Sequence, residues 1–435
     1  MHSTAPQRIL VIGAGYVGLV TAVGLASLGH EVEVIENRRD RFEALREGRV
    51  PIFEAGLQDA FDAVVGAGLL RVNADPGAYP DIVMVCVGTP IGIDGRSDLS
   101  QLRSALQTLP PILDDVAPVV VRSTLPPGGT RQAVEWAGIP TSRVLTNPEF
   151  LRQGTALEDF LHPTRIVIGH FPDAAPATVA QVASVYEGID SPVLVMDVAA
   201  AEIAKNAANA FLALKLSFAN EIASVAEEFG TDVDAILESI ALDPRIGGLY
   251  MHPGMGFGGS CLPKELRALA VSGMSRGLPM LVTNAASLAN AAQQTRFISR
   301  IERLVGGRLR GQRIGLLGVA FKAHTDDVRD SPPLAVAREL LERGADVVAH
   351  DPRAETNALR ELPALRFAAD PETALRDADI GVLGTDWPIY RDLDWAQVRS
   401  TMRSPTLIDG RRALDGDRLR TLGFRFEVIG TAPTT

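Results

Sequence analysis

Six residues near the N-terminus, Gly13-Ala14-Gly15-Tyr16-Val17-Gly18, constrain the fold more than any other feature of this chain. They follow an apolar run from Arg8 to Ile12 and open a helical pattern, so the glycines stand at a strand-to-helix turn. In that setting Gly13 permits the tight turn, Gly15 lets a pyrophosphate approach the backbone, and Gly18 lets helix and strand pack closely. The helix N-terminus then faces the anion. The next strand pattern ends at Glu36, 21 residues after Gly15. A carboxylate there accepts hydrogen bonds from a ribose 2′-hydroxyl and disfavours a 2′-phosphate, which predicts NAD rather than NADP.

Short β-branched apolar runs alternate with longer helical patterns, the signature of parallel βαβ units with sheets covered on both faces. Candidate strands are Arg8 to Ile12, Glu31 to Glu36, Asp81 to Val87, Pro118 to Arg122 and Arg143 to Leu145, with Arg165 to Ile168 and Val193 to Met196 extending the same sheet. From Ala199 to about Phe229 the chain becomes one Ala-rich run without Pro or Gly, apolar at Ile203, Phe211, Leu214, Phe218, Ile222 and Val225. That predicts a helix of about thirty residues, roughly 45 Å long, suited to joining domains or carrying a dimer interface; two shorter helices with a break are the alternative. A Gly-rich loop, His252 to Cys261, and a helical stretch to about Leu304 follow. A second α/β series then runs through Gln312 to Leu317, Asp346 to His350, Asp379 to Leu383 and Thr406 to Ile408. The expected fold class is α/β, with two Rossmann-like, doubly wound parallel-sheet domains, residues 1–198 and 306–435, joined by a long central helix in a helical region, 199–305, that carries the cysteine loop.

A chain of 435 residues, at roughly 100 to 200 per domain, is expected to form two to four domains. Forty-two Lys and Arg against 53 Asp and Glu leave a formal charge of −11 and no basic stripe, which argues against nucleic acid or anionic membrane as a partner. Cys86 and Cys261 stand 175 positions apart, too few and too distant for a disulfide framework, and no Cys/His cluster shows zinc spacing. A cytoplasmic protein without a metal is expected. Ile9 to Gly29 lacks formal charge over 21 residues, as a signal peptide or membrane span would, but its five glycines fit a strand, a turn and a buried helix instead.

Several residues carry reactive chemistry in suggestive places. Cys261 follows Gly256, Gly258 and Gly259 and has Lys264 nearby, a partly exposed, electropositive setting in which thiolate character rises. An inert small hydrophobe is the alternative for Cys261; Cys86, inside an apolar strand, reads as packing. Lys205, Asn206 and Asn209 are polar on an otherwise apolar helix start, and Lys205 and Asn209 share a face. A buried lysine there would have to be paired or functional, whereas a solvated face would need no explanation. Val87-Gly88-Thr89-Pro90, Ser123-Thr124 and Asn147-Pro148-Glu149-Phe150 each sit just past a strand end, where open parallel sheets bind ligands and where ordinary turns also form.

Taken together these segments resemble the UDP-glucose/GDP-mannose dehydrogenase family, whose members oxidise a nucleotide sugar at C6 from alcohol to carboxylate with two NAD⁺. The similarity runs nearly end to end. Besides the segments above it takes in Pro51-Ile52-Phe53-Glu54 with Gly56-Leu57, Asn147 to Gly154, Arg165 to Gly169, Ala201-Glu202 with Lys205, Gly258-Gly259-Ser260-Cys261, Phe321-Lys322, Asp327 to Pro332 and Asp409-Gly410-Arg411-Arg412.

The resemblance implies roles for individual positions. Cys261 would be the nucleophile, Lys205 with Asn209 would stabilise oxyanions, Thr124 would hold a catalytic water, and Glu149 would help hydrolyse the covalent intermediate, with Glu265 as a further catalytic group. Gly13, Gly15, Tyr16, Val17, Gly18, Glu36, Thr89, Thr124, Gln153, Lys264 and Arg329 would serve NAD. Glu149, Phe150, Leu151, Lys205, Asn209, Phe257, Gly258, Lys322 and Arg411 would contact the nucleotide sugar, as would Arg245 from this or the neighbouring subunit of a homodimer or higher homo-oligomer. Two positions depart from the family pattern: Gln153 stands where an acidic residue is common, and Glu265 where Asp is. Asp243-Pro244-Arg245-Ile246-Gly247 resembles the UDP-glucose branch, so the expected product is UDP-glucuronate; GDP-mannose or a UDP-N-acetylhexosamine is the alternative substrate.

Overall fold

The computed structural model describes residues 5–73, 79–92, 95–109, 113 and 116–432. It divides into two units, residues 1–208 with 271–278 and residues 209–270 with 279–435. In the first unit the strands are β1 (Arg8–Ile12), β2 (Glu31–Ile35), β3 (Leu70–Asn73), β4 (Ile82–Val85), β5 (Val119–Val121), β6 (Val144–Thr146), β7 (Ile166–His170) and β8 (Val193–Asp197). They form one sheet in the order β3-β2-β1-β4-β5-β6-β7-β8. Alternate residues explain why these runs are apolar throughout: Ile9, Val11, Ile82 and Met84 enter one core, while Leu10, Ile12, Val83 and Val85 enter another on the opposite face.

The expectation of parallel strands holds except at one pair, since β6 and β7 run antiparallel, with Leu145 opposite His170. The only helix between them is the six-residue Ala156–Leu161. At about 9 Å it is too short to carry the chain back along a strand for a parallel return. Strand β3 was not anticipated; it is a four-residue edge strand with a single fully buried side chain.

The second unit contains β9 (Arg313–Leu317), β10 (Asp346–His350), β11 (Arg366–Phe367), β12 (Ile380–Leu383), β13 (Thr406–Asp409) and β14 (Arg425–Val428). They form an all-parallel sheet in the order β11-β10-β9-β12-β13-β14. Ile314 and Leu316 face one core and Leu317 the other. Both sheets reverse strand order beside their first strand, the switch point where such folds bind ligands.

Val198–Glu228 is a single 31-residue helix, which excludes the broken alternative. Only some of its large apolar residues pack into a core: Leu214 and Ile222 do, Ile203, Phe211, Phe218 and Val225 are exposed, and Ala201, Ala213, Ala219, Ala223 and Ala226 are buried. The helical stretch to Leu304 consists of two helices, Leu262–Met274 and Leu281–Leu304, separated where Gly277 takes a φ of 80° and Pro279 follows. Among the described residues no helix is long and apolar enough to cross a membrane.

Candidate active site

The glycine turn of the first unit has the geometry its sequence predicts. Gly13 has a φ of 95° and donates its N–H to Ile35 O at 2.8 Å, tying the turn after β1 to the end of β2. A Cβ on Gly18 would lie 1.8 Å from Gly13 O, so only glycine lets the Tyr16–Ser27 helix come this close. Around Gly15 the space is open; a Cβ there would meet only Arg41 Nη1, at 3.6 Å. Glu36 is buried and accepts the N–H groups of Ala14 at 3.0 Å and Arg38 at 2.8 Å. Each oxygen keeps a lone pair for a ribose hydroxyl. Open space at Gly15, a helix N-terminus and this carboxylate fit a dinucleotide.

Tyr16 places its hydroxyl on the buried carboxylate of Glu54, which also accepts Gly154 N–H and Ala156 N–H, each at 2.8 Å. Burial first, and then Glu54, push the Tyr16 phenol above its ordinary value. Glu54 thus ties the glycine turn to the 150–156 loop, which carries Phe150, Leu151 and Gln153. Its motif was noticed in the sequence, but no role was assigned to the residue.

Thr89 and Thr124 meet at the ends of neighbouring strands, where Thr89 Oγ1 donates to Thr124 O at 2.8 Å. Beyond β6, Glu149 is buried, accepts Leu151 N–H at 2.6 Å, and lies 3.7 Å from Lys205 Nζ. Lys205 is itself buried, and Phe150 lies beneath it with the ring centroid 5.1 Å away. The solvated-face alternative for Lys205 therefore fails: it is a paired, buried cation, and breaking such a pair costs about 3–5 kcal/mol.

Lys205 is held in turn by its helix neighbours. Glu202 accepts Gly128 N–H and Thr130 N–H, both at 2.6 Å, at the start of the Gly129–Ala137 helix. Asn206 Nδ2 donates to Leu125 O at 2.8 Å. Burial raises the Glu202 carboxyl, partly offset by Thr130 and Gly128. Both residues fasten the lysine helix to the loop that carries Thr124. Cys86 follows β4, is buried, and has a thiol pushed up to about 12 by burial, so it is packing.

In the second unit Cys261 sits one residue before the Leu262–Met274 helix, and its carbonyl accepts Glu265 N–H at 2.9 Å. It occupies the N-cap position, where the helix dipole favours a thiolate. It is partly exposed, with Ser260 Oγ 3.5 Å from its sulfur. The glycine loop is pinned on both sides. Gly259 N–H donates to Arg329 O at 3.0 Å, and a Cβ on Gly258 would lie 2.0 Å from Asp330 O. Asn290 accepts Phe257 N–H at 2.7 Å and donates back to Phe257 O at 3.0 Å. Arg329 grips Asp327 through two bonds, 2.9 and 2.6 Å. Burial pulls the Arg329 guanidinium down, but Asp327 and then Cys261 outweigh it and leave it raised. Cys261 therefore lies in the field of a fixed cation.

Glu265 is buried and accepts Asn209 Nδ2 at 2.6 Å. Lys264 is half-buried beside it. Arg411 is fixed by Gly384 O at 2.7 Å and by Phe321 O, and burial pulls its guanidinium down. Its loop is organised by the buried Asp409, which accepts Arg411, Ala413 and Leu414 N–H. Lys322 Nζ lies 5.7 Å from the centroid of the Phe321 ring. Arg245 is exposed, with its guanidinium bidentate on Asp243. The structure thus gathers Thr89, Thr124, Glu149 and Lys205 in one unit and Cys261, Glu265, Asn209 and Arg329 in the other, while Arg245 stands on the surface.

Residues 7–190 match the UDP-glucose/GDP-mannose dehydrogenase family, NAD binding domain; residues 199–292 match its central domain and 315–416 its UDP binding domain. The chain is 38% identical to a UDP-glucose 6-dehydrogenase of Rhizobium meliloti over 98% of this chain and 99% of that one. It is 37% identical to a UDP-glucose 6-dehydrogenase of Pseudomonas aeruginosa over 98% and 97% of the two chains. Among solved structures it superposes with a TM-score of 0.89 on a UDP-glucose dehydrogenase from Pyrobaculum islandicum, 37% identical, covering 99% of each.

Proposed function

We infer from one premise, that the chain belongs to the UDP-glucose/GDP-mannose dehydrogenase family, that it oxidises UDP-glucose at C6 to UDP-glucuronate in two NAD-dependent steps. The relatives named above support UDP-glucose as the substrate, ahead of GDP-mannose or a UDP-N-acetylhexosamine. NAD⁺, when bound, supplies the hydride acceptor for both oxidations. The observation that carries the mechanism is Cys261 at the N-cap of a helix, at the end of a pinned glycine loop.

Each remaining task falls to a side chain of matching chemistry. Lys205 stabilises negative charge on the C6 oxygen as the alcohol becomes aldehyde. The Cys261 thiolate adds to the aldehyde carbon, and the thiohemiacetal still carries one hydrogen on that carbon, which leaves in the second oxidation. The resulting thioester is cleaved by water held at Thr124, with Glu149 taking a proton from it: a C–O bond forms, the C–S bond breaks, and the sulfur leaves as thiolate. Arg411 and Lys322 hold the nucleotide diphosphate. The exposed stripe Ile203, Phe211, Phe218 and Val225 supports a homodimer, for which light scattering on the purified chain is the check.

The test is stoichiometric. Limiting UDP-glucose yields about two NADH per sugar on this route, and Cys261→Ser loses at least about a thousandfold in turnover while calorimetry shows both ligands still binding. One NADH per sugar with free aldehyde, or a serine variant keeping a tenth of wild-type turnover, rejects the covalent mechanism.

A further inference from the structure

Arg122 is the residue of the first unit whose burial the reaction as described does not explain. It is 5% exposed, and every bond of its guanidinium runs to a neutral group. Nε donates to Thr21 Oγ1 at 2.8 Å, and Nη1 donates to the Asn147 side-chain oxygen, to Asn147 O at 3.4 Å and to Tyr186 Oη at 3.1 Å. The Phe160 ring lies against it, with the centroid 5.6 Å away. No ion pair joins it to a carboxylate among the described residues. An interior cation without a carboxylate partner is expensive, and a chain that only needed packing here would do better with an apolar side chain.

Its position in the sheet supplies a reason. Arg122 leaves the end of β5 two residues before Thr124, and Asn147 leaves the end of β6 two residues before Glu149. The backbone aligns these two strand ends, with Arg122 N–H on Val85 O at 2.9 Å and Asn147 N–H on Val121 O at 3.0 Å. The guanidinium then fixes Asn147 at both its side chain and its carbonyl. Asn147 is immobilised from its other side as well: Nδ2 donates to Val167 O at 2.7 Å, and Tyr186 Oη donates to Oδ1 at 2.5 Å. One side chain thereby sets the register of the two turns that present Thr124 and Glu149.

We propose that Arg122 is a positioning residue for the hydrolytic half of the reaction: it holds Thr124 and Glu149 in the geometry that lets water attack the thioester, and contributes little to the two oxidations. The proposal rests on the function inferred above. Hydrolysis needs no oxidant; water adds to the acyl carbon, one of its protons passes to Glu149, and the sulfur departs as thiolate.

The test separates the two halves by time. Stopped-flow NADH formation with excess UDP-glucose and NAD⁺ is recorded for the wild type, Arg122→Gln and Arg122→Lys, with intact mass spectrometry on quenched samples. Arg122→Gln is expected to release about two NADH per subunit in a fast first phase. It then slows about 100-fold in steady state, the scale of loss for a misplacement of about 1 Å, and accumulates protein acylated at Cys261. Arg122→Lys, which keeps the charge but not the fork, falls between it and the wild type. A fast phase and a steady state that fall by the same factor, or neither falling, overturns the proposal. If Arg122→Gln does not fold, the same ratio in Arg122→Lys decides. A wild type that forms fewer than two NADH per sugar overturns the inferred function instead, a result visible before any variant is made.

Discussion

The two sheets begin with the same turn and then diverge. Gly13 and Gly318 both have a positive φ, 95° and 89°, and both donate an N–H to the end of the second strand of their sheet, at Ile35 O and His350 O, each at 2.8 Å. An acidic residue follows that strand in each case, Glu36 or Asp351. In the first unit the helix starts at Tyr16, three residues past the glycine, and Gly15 leaves the approach open. In the second the residue matching Gly15 is the buried Ala320, and the helix does not begin until Pro332. Asp351 is also spent differently. It accepts the N–H groups of Val319, Ala320, Arg353 and Ala354, so it closes the turn on itself where Glu36 keeps lone pairs for a ligand. The same turn after a sheet's first strand therefore leaves open space at Gly15 in one unit and is closed by the Asp351 carboxylate in the other. What differs is the Cβ at Ala320 and Ala323, the bonding of the acidic residue and the distance to the next helix N-terminus.

Gly15→Val gives the largest effect on this comparison. Gly15 has a φ of −70°, so a side chain brings no backbone strain, and a Cβ touches only the tip of Arg41. Folding should survive, with a melting temperature within a few degrees of the wild type. KM for NAD⁺ should rise about 100-fold, some 2.7 kcal/mol, because the branched side chain fills the pyrophosphate's approach. An unchanged KM would mean that the cofactor is not seated at this turn. The mirror experiment is Asp351→Asn, which sets an amide N–H₂ against backbone donors. It should cost about 2–3 kcal/mol in denaturant unfolding and leave KM for NAD⁺ within twofold. Glu36→Gln should invert that pattern, with a smaller loss of stability and a larger rise in KM.

The comparison also shows what could be read from the sequence. Most strands that were legible are apolar runs buried on both faces, as in Ile9 to Ile12 and Ile380 to Leu383, and the exposed edge strand β8 was legible from its unbroken Val193-Leu194-Val195-Met196 run. Those that were missed are edges: β3 has one fully buried residue, β11 has two residues in all, and β14 starts with an exposed arginine. β3 and β11 bury too few residues to imprint a pattern, and in β14 the buried Glu427 interrupts the apolar run. The antiparallel step at β6 and β7 escaped because hydropathy carries no strand direction. Within the site, nucleophile-type and cation-type residues stood out at strand ends and in the glycine loop. Glu54, Glu202, Asn290 and Arg122 did not, since each acts through groups distant in sequence, largely backbone for the first three and side chains for Arg122, and only the folded chain brings those together.

The smallest expected effect compares the two units through their buried histidines. His30, just before β2, accepts Gln7 N–H on Nδ1 at 3.2 Å, so Nε2 carries the proton toward Val185 O at 3.0 Å. His350, at the end of β10, points Nδ1 at Tyr390 Oη at 3.1 Å, and that hydroxyl donates to His350 O, so Nδ1 is the donor. Burial lowers both below the ordinary value of 6.5. Below 6.5 the unfolded chain binds these protons more readily than the folded one. The stabilisation they provide is therefore complete above that pH and is lost as the pH falls from 6.5 through the folded values. The two sites should respond unequally. A proton on His30 sets a new donor against Gln7 N–H and breaks a bond, whereas a proton on His350 leaves its bond to Tyr390 in place. Urea unfolding at pH 7.5 and 5.5 should show the wild type weakening. His30→Gln, whose amide oxygen can still accept Gln7 N–H, should weaken less between the two pH values than His350→Asn does. Equal slopes in the two variants would show that desolvation alone governs both sites and that the hydrogen-bond roles of the two rings do not matter.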